Sequence, residues 1–149
     1  MSPLQPKRSK FRKFHKGRTR GKASRNLYLQ FGDVALQALE PGRLTDRQIE
    51  AIRLALTRRL DAGSRLWIRV FPDQSITKKP LETRMGGGKG DIDHWNVIIR
   101  PGTIIAEIGG MEPERAHRAL RSALFKLPFR CHIISRSFWE GSPYAAQTL

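Results

Sequence analysis

The chain has 149 residues, the size of one domain, and carries 28 Lys and Arg against 13 Asp and Glu, a formal net charge of +15. No run of 18 apolar residues is present, so nothing reads as a bilayer span. The single Cys131 excludes an internal disulfide and a cysteine-rich metal site.

Ten of the basic residues, and no acidic one, fall in residues 1–26. They are Lys7, Arg8, Lys10, Arg12, Lys13, Lys16, Arg18, Arg20, Lys22 and Arg25. The remainder of the chain has a net charge of only +5. The charge is thus concentrated in an arm, and Gly17 and Gly21 prevent that arm from forming a long helix. Such a segment repels itself and stays extended until dense negative charge neutralises it, and a phosphate backbone is the commonest source of that charge.

Beyond the arm, the alternation in residues 27–31 predicts a strand, Gly32 and Asp33 a turn, and residues 34–39 a second strand with Val34 and Leu36 on one face. Glu40, Pro41 and Gly42 break it. Thr45 starts a helix, with Gln48 completing a capping box. Ile49, Ile52, Leu56 and Leu60 recur at helical spacing, and Gly63 is the expected stop. The outer face carries Arg47, Arg53, Arg58 and Arg59, which suit either a solvated face or RNA contact. Residues 65–71 alternate Leu66, Ile68 and Val70 with Trp67, Arg69 and Phe71. Apolar or stacking side chains on both faces predict a central strand.

Residues 75–79 predict a short polar strand. Residues 94–100 and 103–108 flank Pro101 and Gly102 and predict a hairpin. Pro113 opens a second helix, with Glu112 and Glu114 near its positive end. Ala116, Ala119, Leu120, Ala123 and Leu124 form a narrow face that can lie close on a sheet. Residues 129–135 predict a last strand. Residues 136–149 read as a tail whose Phe138, Trp139 and Tyr144 can dock on a partner. The division is therefore an arm at 1–26, a folded body at 27–135 and a tail at 136–149. The fold class is α+β, a two-layer sandwich of mostly antiparallel sheet and two helices.

The loop at 80–93 concentrates glycine and charge. Gly86, Gly87, Gly88 and Gly90 surround Lys89, with Arg84 and Met85 just before. Glycine lets backbone approach another surface closely, and Arg and Lys there suit phosphate. A nucleotide-binding P-loop fails in detail on its usual pattern. That motif needs Gly-Lys-Ser/Thr opening a helix, whereas Gly90 follows Lys89 and a strand follows the loop. Asp91 and Asp93 read as charge balance among the basic residues. His15, His94, His117 and His132 lack ligand spacing. No Ser-His-Asp set and no nucleophile with an assigned base is evident. No metal, cofactor or enzymatic activity is expected.

These segments together resemble a known family. The arm PKRSKFRKFHKGRTRG, the segments FGDVALQALEP, LTDRQIEAIRLALTR and WIRVFPD, and the loop KPLETRMGGGKG followed by Trp95 are similar to the bacterial-type large-subunit ribosomal protein sixteen, in order and spacing from about Pro6 to Ser135. The resemblance implies a structural protein of the large ribosomal subunit. It would bind large-subunit rRNA near the peptidyl-transferase region, beside the aminoacyl-tRNA site, and help to position tRNA. Its partners would be rRNA, tRNA and other large-subunit proteins, with no membrane. Lys7, Arg8, Lys10, Arg12, Lys13, Lys16, Arg18 and Arg20 would thread into rRNA. The loop from Arg84 through Met85, Gly86, Gly87, Gly88 and Lys89 to Gly90 would reach toward tRNA. In some bacterial relatives the arginine at the position of Arg84 is hydroxylated.

The final helix and strand are looser matches, and the tail runs past the usual end. The segment FGDVALQALEP resembles the cyanobacterial and plastid branch in particular, and 19 Arg against nine Lys argues against a very AT-rich coding genome. Together with the divergent C-terminal part, the resemblance points to an organelle ribosome, mitochondrial ahead of plastid, with a bacterial cytoplasm as the alternative. Two other readings stay open on residues alone. One is an enzyme that hydrolyses nucleotides or modifies RNA with the glycine loop. The other is a DNA-compacting protein, which would bind duplex DNA as well as folded rRNA.

Overall fold

A computed structural model describes residues 4–136. Their elements run β1 (Val34–Ala38), β2 (Gly42–Thr45), α1 (Asp46–Thr57), β3 (Arg65–Ile68), β4 (Gln74–Lys78), β5 (Asp91–Ile99), β6 (Ile104–Gly109), α2 (Pro113–Leu124) and β7 (Cys131–Ser135). A four-stranded sheet has the order β3-β6-β1-β7, and a three-stranded sheet the order β2-β5-β4. Every strand pairing is antiparallel. Helix α1 packs on β2, β5 and β3, helix α2 on β1 and β7, and the helices touch each other. This is an α+β sandwich.

The α1 start follows the predicted capping box. Thr45 Oγ1 accepts from the Gln48 amide at 3.3 Å, and Gln48 Oε1 accepts from the Thr45 amide at 3.0 Å. Ile49, Ile52 and Leu56 are buried beneath it. The helix stops at Thr57 rather than running toward Gly63. Its last turn tightens, with Arg59 donating to the Leu56 carbonyl and Leu60 to that of Thr57. Leu60 still reaches the core from the turn, so helical spacing outlasts the helix. In α2, Ala116, Ala119, Leu120 and Ala123 are buried, as their spacing predicts. Alanine lets this helix lie close on β1 and β7.

Three expectations are corrected. First, residues 27–31 form no strand. They run as a strap across the face of the four-stranded sheet that points away from the helices. Leu29 packs there on Ala35, Ile104 and Ile134. Asn26, in the left-handed region at φ 59°, anchors the start of the strap through its side-chain amide to the carbonyls of Arg69 and Ile104.

Second, the strand at 65–71 is not central. It ends at Ile68 and lies on the sheet edge. The interior strands are β1 and β6, in which every residue is buried. Strap and helices cover both faces of these strands, which is why a sequence expected to bury one face buries two. Leu66 and Ile68 face the core as expected. Trp67 instead stacks on Phe31 of the strap, with ring centroids 5.9 Å apart.

Third, Pro101 and Gly102 do not close a hairpin. Thr103 donates to the Arg100 carbonyl across a turn, but β5 pairs with β2 and β4, whereas β6 pairs with β1 and β3. The turn passes the chain from one sheet to the other. Strand β2, just after the Glu-Pro-Gly break, was not expected at all. The tail beyond Arg136, with Phe138, Trp139 and Tyr144, lies outside the described residues.

Candidate nucleic-acid interface

Residues 4–26 contain no helix or strand, and Gly17 and Gly21 hold positive φ values of 61° and 83°. The arm is nonetheless seated, and its backbone carbonyls do the seating. Ser75 Oγ on β4 donates to the Arg12 carbonyl at 2.8 Å. The Gln74 side-chain amide donates to the carbonyls of His15 and Lys16 at 3.2 and 3.3 Å. Arg43 on β2 donates to those of Lys16 and Gly17. Holding the arm by its carbonyls leaves its cationic side chains outward. Lys7, Arg8, Lys10, Arg12, Lys16, Arg18 and Arg20 are exposed, and Lys13 is half-buried.

The glycine loop joins β4 to β5. Gly86, Gly87 and Gly88 all have positive φ, at 104°, 68° and 84°, with open space where a side chain would sit. Gly90 differs: an added Cβ would lie 2.7 Å from the Lys78 carbonyl oxygen, so the loop base is packed against β4. Arg84, Met85 and Lys89 are exposed, Met85 to 98%. An exposed methionine beside glycines is a polarizable surface for a base or sugar. No helix follows Lys89; β5 begins at Asp91, where a P-loop would open a helix.

Arm and loop meet. Lys13 Nζ donates to the Lys89 carbonyl at 3.0 Å, and Lys89 Nζ donates to the Phe14 carbonyl. Lys13 also pairs with Asp91 at 3.5 Å. Asp93 pairs with His94 at 2.8 Å, and this bond holds its carboxyl below the usual carboxylate range. The two neighbours sit on one side because β5 carries an extra residue there: Ile76 opposes His94, and Thr77 opposes Ile92. Asp91 is thus paired with a cation of the arm, and Asp93 with the neighbouring imidazole. Lys79, which the sequence reading did not single out, props the loop through the Gly86 carbonyl.

The remaining aromatic residues near the sheets divide. Trp95 is buried, and Phe71 is 49% exposed. Burial pushes the Cys131 thiol up to about 12, with Glu40 adding to the shift. A thiol so far from ionisation is a poor nucleophile. Sequence reasoning missed the clamps Arg43, Gln74 and Ser75, and the buried Glu107. A lone Glu inside the apolar run TIIAEI was the available signal for Glu107, since a carboxylate in a buried strand demands partners.

The family described as Ribosomal protein L16p/L10e matches residues 6–134. The chain is 54% identical over 134 residues to the large ribosomal subunit protein uL16 of Sulfurihydrogenibium sp. (strain YO3AOP1), covering 90% of this chain and 97% of that one. It is 53% identical over 132 residues to the uL16 of Sulfurovum sp. (strain NBC37-1), covering 89% and 94%. It is 54% identical over 135 residues to the large ribosomal subunit protein uL16c of Rhodomonas salina, covering 91% and 98%. With a match over nearly the whole folded body and identities above half, the chain belongs to the L16p/L10e family of ribosomal proteins and is a structural, non-enzymatic protein of the large ribosomal subunit.

Proposed function

We propose that the chain binds large-subunit rRNA near the peptidyl-transferase region and helps to position tRNA. In this reading the arm, from Lys7 to Arg20, neutralises phosphates between packed rRNA helices. The loop, from Arg84 to Gly90, is the element that reaches tRNA. The observation that carries this is the arm–loop junction at Lys13 and Lys89, which joins two basic segments 76 residues apart. Seating the arm by its carbonyls supports the same reading, because it leaves the charges other than that of Lys13 exposed to an outside ligand. The division into arm, body and tail belongs to the proposal. So does the compartment, an organelle ribosome (mitochondrial or plastid) or that of a bacterium; the relatives support the ribosome itself rather than one of the three.

The test uses large subunits assembled with full-length protein, with a chain lacking residues 1–20, and with an Arg84→Ala/Lys89→Ala chain. After a high-salt wash, the truncated chain is expected to be absent from the subunit. The loop variant is expected to be retained but slow in tRNA accommodation. If the arm makes about six phosphate contacts, the log–log salt slope of rRNA binding is about −4 to −5. Retention of the truncated chain at wild-type stoichiometry would overturn the role of the arm. Normal accommodation with the loop variant would overturn that of the loop.

A further inference from the structure

A second basic surface lies on the helices, and none of the residues lining it clamps the arm. The C-terminal ends of α1 and α2 frame an open groove of about 620 Å³ lined by Arg58, Arg59, Arg118, Arg121, Phe125 and Lys126. All five cations are exposed, and Phe125 is 84% exposed. Among the described residues, two other arginines of these helices are paired. Arg53 holds Glu50 at 2.6 Å, and Arg115 holds Asp61 at 2.9 Å. None of the five inside takes part in an ion pair with another described residue, and no carboxylate lines the groove. Opposite charge is thus present elsewhere on and beside the two helices and absent from the groove lining.

The helix dipole accounts for part of this pattern, since cations favour helix C-terminal ends. It does not account for Arg118, which lies in the middle of α2. Nor does it account for a phenylalanine left in water among cations.

We propose that this groove is a second RNA-binding site, taking a phosphate backbone along Arg58, Arg59, Arg118 and Arg121 with an unpaired base against Phe125. Guanidinium forks match phosphate oxygens in pairs, and an exposed aromatic ring supplies a stacking face that every base can use. Five cations with no carboxylate call for an unbroken line of negative charge. A nucleic-acid backbone provides that line, whereas an acidic protein segment provides it only intermittently. The proposal rests on the rRNA-binding reading above and extends it: arm and loop would hold one rRNA element, and the helices another.

The test compares three full-length proteins on in vitro transcribed large-subunit rRNA, by hydroxyl-radical footprinting and by affinity across a salt series. They are the wild type, an Arg58→Gln/Arg59→Gln/Arg118→Gln/Arg121→Gln variant, and an Arg12→Gln/Lys16→Gln/Arg18→Gln/Arg20→Gln variant. Thermal melts show that each is folded, and a variant with Lys at the four groove positions restores the charge. The wild type is expected to protect two separate patches of ribose. The groove variant is expected to lose one patch, keep the other and show a salt slope shallower by about 3. The arm variant should lose the opposite patch, and the Lys variant should regain the groove footprint.

A groove variant with both patches and an unchanged slope would overturn the second site while leaving the arm and loop reading intact. Absence of saturable binding by the wild type would overturn both. In whole subunits, a photo-crosslinking side chain at position 125 that couples to rRNA supports the proposal. Coupling to a neighbouring protein would overturn it in favour of an acidic protein partner.

Discussion

Glu107 and Arg69 form an ion pair in which the glutamate side chain is wholly buried and the arginine side chain keeps 12% exposure. The carboxylate also ties down the strap. Its Oε2 accepts from the amides of Phe31 and Gly32 at 2.8 Å and from that of Gln30 at 3.2 Å. Arg69 in turn donates to Gln30 Oε1 at 2.7 Å and lies 5.0 Å from the centre of the Phe31 ring. One acid therefore satisfies three strap amides and holds the arginine that braces the strap from the other side.

Glu107→Ala is expected to lower stability by about 3–5 kcal/mol, because it leaves a buried cation and three amides without their acceptor. Glu107→Gln should cost less, since its amide oxygen can still accept from the strap. Urea unfolding of both variants measures this. A loss below about 1 kcal/mol for the alanine variant would show that the carboxylate does not hold the strap.

The sheet order predicts which leucines matter most. Leu36 on the interior strand β1 has no exposure, and Leu36→Ala should cost about 2–5 kcal/mol, transfer and cavity terms together. Leu66 on the edge strand β3 is half-buried, so Leu66→Ala should cost roughly half as much. Equal losses in denaturant unfolding would contradict an edge position for β3.

Removing the Thr45 hydroxyl tests the cap. Thr45→Ala is expected to cost about 1 kcal/mol, with Thr45→Ser close to wild type. Because α1 packs on β2, β5 and β3, the loss should register in global unfolding rather than as local fraying. Indistinguishable melting curves for the two variants would mean that the box contributes nothing.

His132 gives the fold a pH dependence. Its Nδ1 is buried with no hydrogen-bond partner, and burial lowers its pKa below the ordinary 6.5. The unfolded chain therefore takes up a proton at a pH where the folded chain does not. This histidine's contribution is full above 6.5 and is lost as pH falls from there toward the lowered folded value. Melting temperatures on either side of 6.5 should fall toward acid in the wild type and fall less in His132→Asn. Parallel curves would remove His132 as the source.

The sequence by itself determined the basic arm, the capped helix α1, the alanine face of α2, the glycine loop and the family, because each is written in local spacing or in strings that do not depend on pairing. Only the tertiary structure decided which strands lie inside the sheet, that residues 27–31 are a strap, and that Pro101 and Gly102 carry the chain between sheets. Alternation reports that a segment is extended, not which neighbour takes its hydrogen bonds or whether a later segment covers its second face. The same limit hid the arm clamps. Arg43, Gln74 and Ser75 find carbonyls 26 to 63 residues away, and a side chain's reach across that interval exists only once the sheets have formed.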